Sequence, residues 1–236
     1  MIRHYKHNRN KGFTLVELMI AMAFVSMLLL AIAFVVLRIS GIYNKGVTIK
    51  AVNQAGRTIV EDMKRTIGES DPSTINTTLQ QSGRLCTGTY SYVWNLGDSG
   101  TAAVNKYRND GPAVSTKKIR LVKVRDNGGQ YCSTQSGLPD IIAADATELL
   151  TSGDTSSNNF IDTNLTIQQF AISSLTTNLS SGSALYKVSI LLSNADQDVI
   201  DSMGNCKPPK DSPGSSDYCA VNEFNFTVRP GSKGGQ

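Results

Sequence analysis

The run FTLVELMIAMAFVSMLLLAIAFVVL, from Phe13 to Leu37, constrains this chain more than any other segment. It is 25 residues long and carries a single charge, Glu17. A helix rises about 1.5 Å per residue, so about 20 apolar residues cross the hydrocarbon layer. Leu18 to Leu37 supplies 20 residues without a charge. The apolar region of a secretory signal peptide is shorter, about 7–15 residues, and ends at a small-x-small cleavage site. No convincing site of that kind occurs before Arg38. The segment ahead of the span holds Arg3, Lys6, Arg9 and Lys11 and no acid. Basic flanks stay on the cytoplasmic side, so everything after the span is expected to be exported.

Charge and histidine placement exclude several functions. The chain has 23 basic and 19 acidic residues, and setting aside residues 1–12 leaves 19 against 19. A neutral remainder gives no bulk attraction to nucleic acid. Both histidines, His4 and His7, lie in the basic segment. Catalytic triads with a His base, Cys–His pairs and His-ligated metals are therefore excluded beyond residue 12. With no paired nucleophile and base, the chain reads as a non-enzyme with no cofactor.

Glu17 is the anomaly. A carboxylate centred in a span costs about 2.5–3.5 kcal/mol on insertion scales, so such a residue generally has a partner and a task. Its surroundings read Lys11-Gly12-Phe13-Thr14-Leu15-Val16-Glu17. This stretch, KGFTLVELMIAM, resembles the processing site of type IV prepilins and type II secretion pseudopilins. The resemblance implies cleavage after Gly12 by a prepilin peptidase and N-methylation of Phe13. It also implies that Glu17 pairs with a mature amino-terminal amine during assembly. A carboxylate facing an ammonium removes two unpaired charges from lipid. A short basic leader, Gly, Phe and then Glu ahead of one apolar span is a specific combination.

Beyond the span, Ile49, Val52, Ala55, Ile59, Met63 and Ile67 keep helical spacing. Glu61 and Arg65 are placed for an i,i+4 ion pair. Gly68 and Asp71-Pro72 close the helix. Gly41, Gly46 and Gly56 each cost about 1 kcal/mol relative to Ala, and either let the helix bend or are simply tolerated. A helix from Phe13 to Ile67 would be roughly 80 Å long.

Residues 73–236 are rich in Ser, Thr, Asn and Gly, with short apolar runs that suit a β-rich head. Expected strands are Thr89–Asn95, Ile119–Arg125, Thr166–Ile172, Leu185–Leu192 and Glu223–Val228. Asn127-Gly128-Gly129 is a turn signal that would pair Ile119–Arg125 with Gln130–Ser133. Ile141–Leu150 reads as a short helix or a buried loop. About 160 residues bury one core, so a single head domain is expected.

All four cysteines, Cys86, Cys132, Cys206 and Cys219, lie in this region. An even count in an exported domain reads as two disulfides, for which sequence permits three connectivities. Cys206 and Cys219 bound 12 residues that include Pro208, Pro209, Pro213 and Gly214, a loop that needs a staple. This favours Cys206–Cys219 with Cys86–Cys132, and the former resembles the disulfide-bounded loop of many pilins. The gaps lack the CxxC spacing of a zinc site.

Two further groupings carry candidate chemistry. Lys106, Arg108, Lys117, Lys118, Arg120, Lys123 and Arg125 oppose Asp110 alone, with Tyr107 among them. Lys117, Lys118, Arg120, Lys123 and Arg125 could form a surface for DNA or another anion, although from Gly68 on the chain has 13 basic and 16 acidic residues. Asp196, Asp198 and Asp201 have calcium-loop spacing, but Val199 stands where an EF-hand needs Gly and Asn205 where it needs Glu. A polar turn is the better reading, and no metal is expected. The sequons at Asn76, Asn164, Asn178 and Asn225 are what chance supplies in such a composition.

These features give an α+β chain. Residues 1–12 form a cleaved leader, 13–37 a transmembrane and assembly helix, 38–67 its amphipathic continuation, and 73–236 a disulfide-bonded head with an antiparallel sheet. The stem segment Gln54-x-x-Arg57…Glu61-Asp62-Met63-Lys64, the large head and the late strand Phe224-x-Phe226-Thr227-Val228-Arg229 resemble minor pilins of the PilW and pseudopilin J group. That likeness implies a structural subunit that initiates, caps or modifies a type IV pilus, or its counterpart in a type II secretion system. An adhesin or DNA receptor displayed on the filament is the third possibility. The partners implied are other pilin subunits through the N-terminal helix, prepilin peptidase, an inner-membrane assembly platform and the membrane before assembly. The chain would sit in the inner membrane first and in an extracellular filament afterwards.

Overall fold

The computed structural model describes residues 12–76, 83–97, 105–108, 118–126, 129–132, 139–150, 164–178, 183–196, 198–211 and 215–231. The chain divides between Tyr43 and Asn44 into two units. One helix, α1 (Leu15–Gly68), contributes to both.

In the first unit, α1 presents exposed apolar side chains from Leu15 to Leu37 and onward through Ile39 and Ile42. Its most apolar stretch has a mean hydropathy of 2.9, long and apolar enough to cross a membrane. Neither Gly41 nor Gly46 breaks the helix.

In the second unit, the remaining part of α1 becomes one-sided. Val52, Gly56, Ile59, Met63, Thr66 and Ile67 are buried, spaced three or four apart as one helix face requires. Ile49 stays exposed, while Ala55 is half-buried against the core beside the fully buried Gly56. The ion pair joins the exposed Arg65 to the half-buried Asp62 at 3.2 Å, not to Glu61 as the sequence spacing suggested. After Gly68, the Ser70 hydroxyl donates to Thr66 O at 2.6 Å. The Asp71 carboxylate then accepts from Ser73 N at 2.9 Å, capping a short 3-10 turn at Pro72–Thr74.

Seven described strands form two antiparallel sheets. β1 (Arg84–Cys86), β2 (Tyr90–Trp94), β3 (Leu121–Arg125) and β4 (Ala146–Leu150) pair in chain order. β5 (Leu165–Asn178), β6 (Ser183–Asn194) and β7 (Val221–Val228) form a second meander. The fold is α+β, one long N-terminal helix followed by antiparallel sheets, consistent with the expected pilin arrangement.

Period-two alternation sorts the first sheet. Tyr92, Trp94 and Leu121 enter the core shared with Ile59, Met63 and Ile67, whereas Val93, Val122 and Val124 build a second core with Tyr107, Ile119, Tyr131 and Ile141. Three bulges interrupt the pairing, and two of them correct the alternation where the sequence breaks it. Leu121 pairs with Leu150 and Val122 with Glu148, so Leu149 is an extra residue. Both Leu149 and Leu150 then reach the stem core while Ala146 serves the other. In β5, Gln168 is the extra residue between Ile167 and Gln169, which brings Ile167 and Phe170 to one side.

The two sheets join at one corner. Leu96 bridges to Ile167, and the rings of Trp94 and Phe170 stack with centroids 4.2 Å apart. The carbonyl of Gly97 accepts from the Thr166 hydroxyl at 2.8 Å and from Arg120 Nη1 at 2.9 Å.

Two local expectations fail for a common reason. Gln130–Cys132 is a 3-10 turn and does not pair with β3, whose edges are taken by β2 and β4. The Cys132–Cys86 bridge and the Asp126 carboxylate, which accepts from Tyr131 N at 3.4 Å, hold the turn instead. Similarly, 141–150 is neither helix nor loop throughout, because a short turn at Ala143–Asp145 leads directly into β4. Non-local pairing overrides a local turn signal in both places.

Candidate functional site

The start of α1 is built by Thr14 and Glu17. The Thr14 hydroxyl accepts from Glu17 N at 3.3 Å, while Glu17 Oε2 accepts from Thr14 N at 3.0 Å and from the Thr14 hydroxyl at 2.9 Å. This is a reciprocal capping box, which satisfies helix-terminal N–H groups otherwise left without partners. The T-x-x-E spacing is a helix-start signal readable in the sequence, one that reading the segment as a processing site passes over. Glu17 thus has a local structural role as well as its place in the motif, and its Oε1 takes no part in the cap. Gly12 and Phe13 precede the helix, and Phe13 is 85% exposed. Residues 1–11 of the expected leader lie outside the described residues.

Cys86 is bonded to Cys132 and Cys206 to Cys219, with Cα separations of 6.2 and 5.8 Å. The first bridge ties β1 to the 130–132 turn. The second closes a loop that packs Val199 and Ile200 against Cys219 and Val221. With all four thiols in disulfides, none is left to ligate zinc.

The basic run does not gather into one surface. Lys123 turns inward and reaches α1, where its ammonium donates to Asp62 Oδ1 at 3.0 Å and to Thr66 Oγ1 at 2.7 Å. It also lies 4.5 Å from the Tyr90 ring centroid, in cation–π range. The Tyr92 hydroxyl donates to the same aspartate, at Oδ2, 2.7 Å away. Arg120 is buried at the corner between the sheets. Lys118 and Arg125 are exposed, and Lys117 lies outside the described residues. An anion surface built on all five is thereby reduced by two members, because the physical demand on Lys123 and Arg120 is internal.

A basic residue outside that run, Arg84, is fully buried and bonded to neutral groups. It donates to Asn105 Oδ1 at 2.7 Å, Tyr131 O at 2.9 Å and Pro139 O at 2.8 Å. Burial pulls its guanidinium below the usual arginine range. Three neutral oxygens replace the water lost on burial, and they tie β1 to three separate loops.

The acidic turn is likewise absorbed into local structure. Asp196 Oδ1 accepts from Asp198 N at 2.9 Å, and Asp201 Oδ1 accepts from Met203 N at 2.9 Å and Asn205 N at 2.8 Å. These carboxylates cap turns, the usual service of Asp at such positions. Among the described residues no three His, Cys, Asp or Glu side chains converge as a metal site would require.

Residues 7–37 match the family model of the prokaryotic N-terminal methylation motif. No curated protein and no solved structure matches the chain. The motif is the type IV pilin signal. It begins in the basic leader and ends with the apolar span, covering Gly12, Phe13 and Glu17. Together with α1 and the antiparallel sheets it supports a likeness to type IV pilins and pseudopilins, shown over residues 7–37. Proteins that carry this motif are structural, assemble with other pilins and are processed by prepilin peptidase, and the apolar part of α1 is long enough to cross a membrane as the motif implies.

Proposed function

We propose that this chain is a minor pilin of a type IV pilus, incorporated through α1 to initiate, cap or modify the filament. Cleavage after Gly12 would free the amine of Phe13 for methylation, and Glu17 would pair with the amine of a neighbouring subunit. The observation that carries the reading is the methylation motif at residues 7–37, set on a helix whose apolar side chains are exposed and whose only early charge is Glu17. Extracting so apolar a helix from lipid into a filament requires a protein environment that is equally apolar. The carboxylate then needs a cation, since one of its oxygens alone serves the cap. The late β7 strand and the large head support a minor rather than a bulk subunit. A pseudopilus would use the same residues in the same way.

The test is the intact mass of the full chain, non-reduced, made with and without prepilin peptidase. Loss of residues 1–12, a gain of about 14 Da at Phe13 and four absent hydrogens are expected. An unprocessed chain overturns the reading. Glu17→Gln then separates the two roles of Glu17, because the amide keeps the capping geometry and loses the charge. Recovery of this variant with sheared filaments should fall at least about tenfold if a charge pair drives incorporation. Recovery equal to wild type rejects Glu17 as the assembly residue.

A further inference from the structure

Cys86 and Cys132 line a cleft of about 480 Å3, together with Glu69 and Asp71 at the end of the stem, Thr87 and Gly88 between β1 and β2, and Gly129. Cys86 is 2% exposed and Cys132 9%, so Cys132 is the more open of the two. Beside Cys86, the Ser91 hydroxyl lies 2.9 Å from its Sγ and donates to Asp126 Oδ2 at 2.6 Å. Asp126 is fully buried, and its Oδ1 has no hydrogen-bond partner. A hydroxyl has a single proton, and the carboxylate is the stronger acceptor. The lone pairs of Ser91 are then left to accept from Cys86 whenever that residue is a thiol.

The turn that carries Cys132 is also held by bonds other than the bridge. Cys132 N donates to Gly129 O at 3.0 Å, Arg84 Nη1 to Tyr131 O at 2.9 Å, and Tyr131 N to Asp126 Oδ2 at 3.4 Å. A buried cation and a buried carboxylate thus fix the peptide groups on either side of Tyr131. We propose that Ser91 and Asp126 form a proton route that closes the Cys86–Cys132 disulfide in the folded head, with Cys132 as the thiol that meets the oxidant and Cys86 as the one that resolves it. Cysteines enter a chain as thiols, and the oxidant is a disulfide-bearing molecule. The Cys132 thiolate attacks it from the cleft, forms a mixed disulfide and releases one thiolate. Cys86 then passes its proton to Ser91 as Ser91 passes its own to Asp126 Oδ2. The Cys86 sulfur bonds to Cys132 Sγ, the mixed disulfide breaks, and a second thiolate leaves through the cleft. Two protein thiols are oxidised, the oxidant is reduced to two thiols, and Asp126 returns the proton to water. Cys86 needs such an acceptor because the thiolate is the nucleophile and bulk water barely reaches this sulfur. The other charged or titratable groups around the pair are Glu69 and Asp71 in the cleft and Arg84 and Tyr131 behind the turn, with Asp140 and Asp145 beyond them. The inference rests on the head and not on the filament reading.

The full chain in detergent, reduced and freed of reductant, tests it with oxidised glutathione as the oxidant. Peptide mapping after acid quenching at early times should find glutathione on Cys132 ahead of Cys86. Equal labelling, or labelling of Cys86 first, overturns the proposal. Asp126→Asn keeps an acceptor oxygen for Ser91 and Tyr131 but cannot take the proton. It should slow the closing step at least about tenfold while Cys206–Cys219 closes at its wild-type rate. Closing in this variant should quicken about tenfold per pH unit between about pH 5 and 7, because the thiolate then forms only by loss of a proton to solvent, and wild-type closing should vary much less. A purely structural Asp126 would change the rate and leave its pH dependence as in wild type, and that result rejects the route. Should Asp126→Asn fail to fold, Ser91→Ala cuts the route at the hydroxyl and is judged by the same two readings.

Discussion

At the scale of single residues, Glu17 and Lys123 contrast in what a sequence reveals. Glu17 stands alone in an apolar run, so its exceptional character is visible without a structure. Lys123 sits among six other basic residues and looked like one more surface charge. Its partner Asp62 is 61 positions away, and no local spacing could join them. The side chains of Lys123 and Asp62 keep only 12% and 15% of their surface, so water screens the pair weakly. Removing Lys123 leaves the half-buried Asp62 carboxylate with Arg65 and the Tyr92 hydroxyl alone, a loss of about 1–3 kcal/mol. Lys123→Met should therefore lower the urea midpoint of the full chain, read from Trp94 fluorescence. Asp62→Leu should cost less in the Lys123→Met background than in the wild-type chain, since the carboxylate has already lost its ammonium. A single variant as stable as wild type would mean that the pair contributes no net stability.

At the scale of elements, the strands that alternate cleanly were legible and those that need a bulge were not. Tyr90–Trp94 reads as a half-buried strand because its aromatic residues recur every second position. The segment 141–150 has no such rhythm, because Leu149 and Leu150 share a core only through an extra residue in the pairing with β3. The sequence leaves Gly56 as a point of bending or a tolerated surface glycine, whereas in the fold it leaves room for the Phe224 ring of another element. The loop between Cys206 and Cys219 was legible, since its prolines and glycine leave little regular structure to hold it. Closing a loop of this length in the unfolded chain contributes about 3 kcal/mol. Cys206→Ser with Cys219→Ser should lower stability by about that amount. Proteolysis should then fall first within 199–221, where Val199, Ile200 and Val221 pack around the bridge. Cleavage elsewhere first would mean that the bridge does not hold this loop.

At the scale of the whole molecule, stability should fall at alkaline pH. Burial pushes the phenol groups of Tyr92, Tyr107, Tyr131 and Tyr186 above their ordinary range. Above about pH 10 an unfolded tyrosine loses its proton while a buried one keeps it, so the unfolded state binds fewer protons and gains. Tyr92 alone would give a slope of about 1.4 kcal/mol per pH unit there, with full stability retained below that range. Unfolding midpoints measured from pH 8 to 11 should decline, and Tyr92→Phe should flatten the decline; a flat wild-type profile would contradict this. The sequence by itself determined what depends on neighbours along the chain: the apolar span, the methylation motif around Gly12 and Phe13, the odd carboxylate at Glu17, and the amphipathic stem. Each of these is a helix or peptide property with a period of a few residues. Only the tertiary structure decided what depends on distant partners: the Lys123–Asp62 grip, the burial of Arg84 and Arg120, the bulges, and the seat of Phe224 on Gly56. Long-range packing selects those contacts by volume and desolvation, and neither quantity is written in the local order of residues.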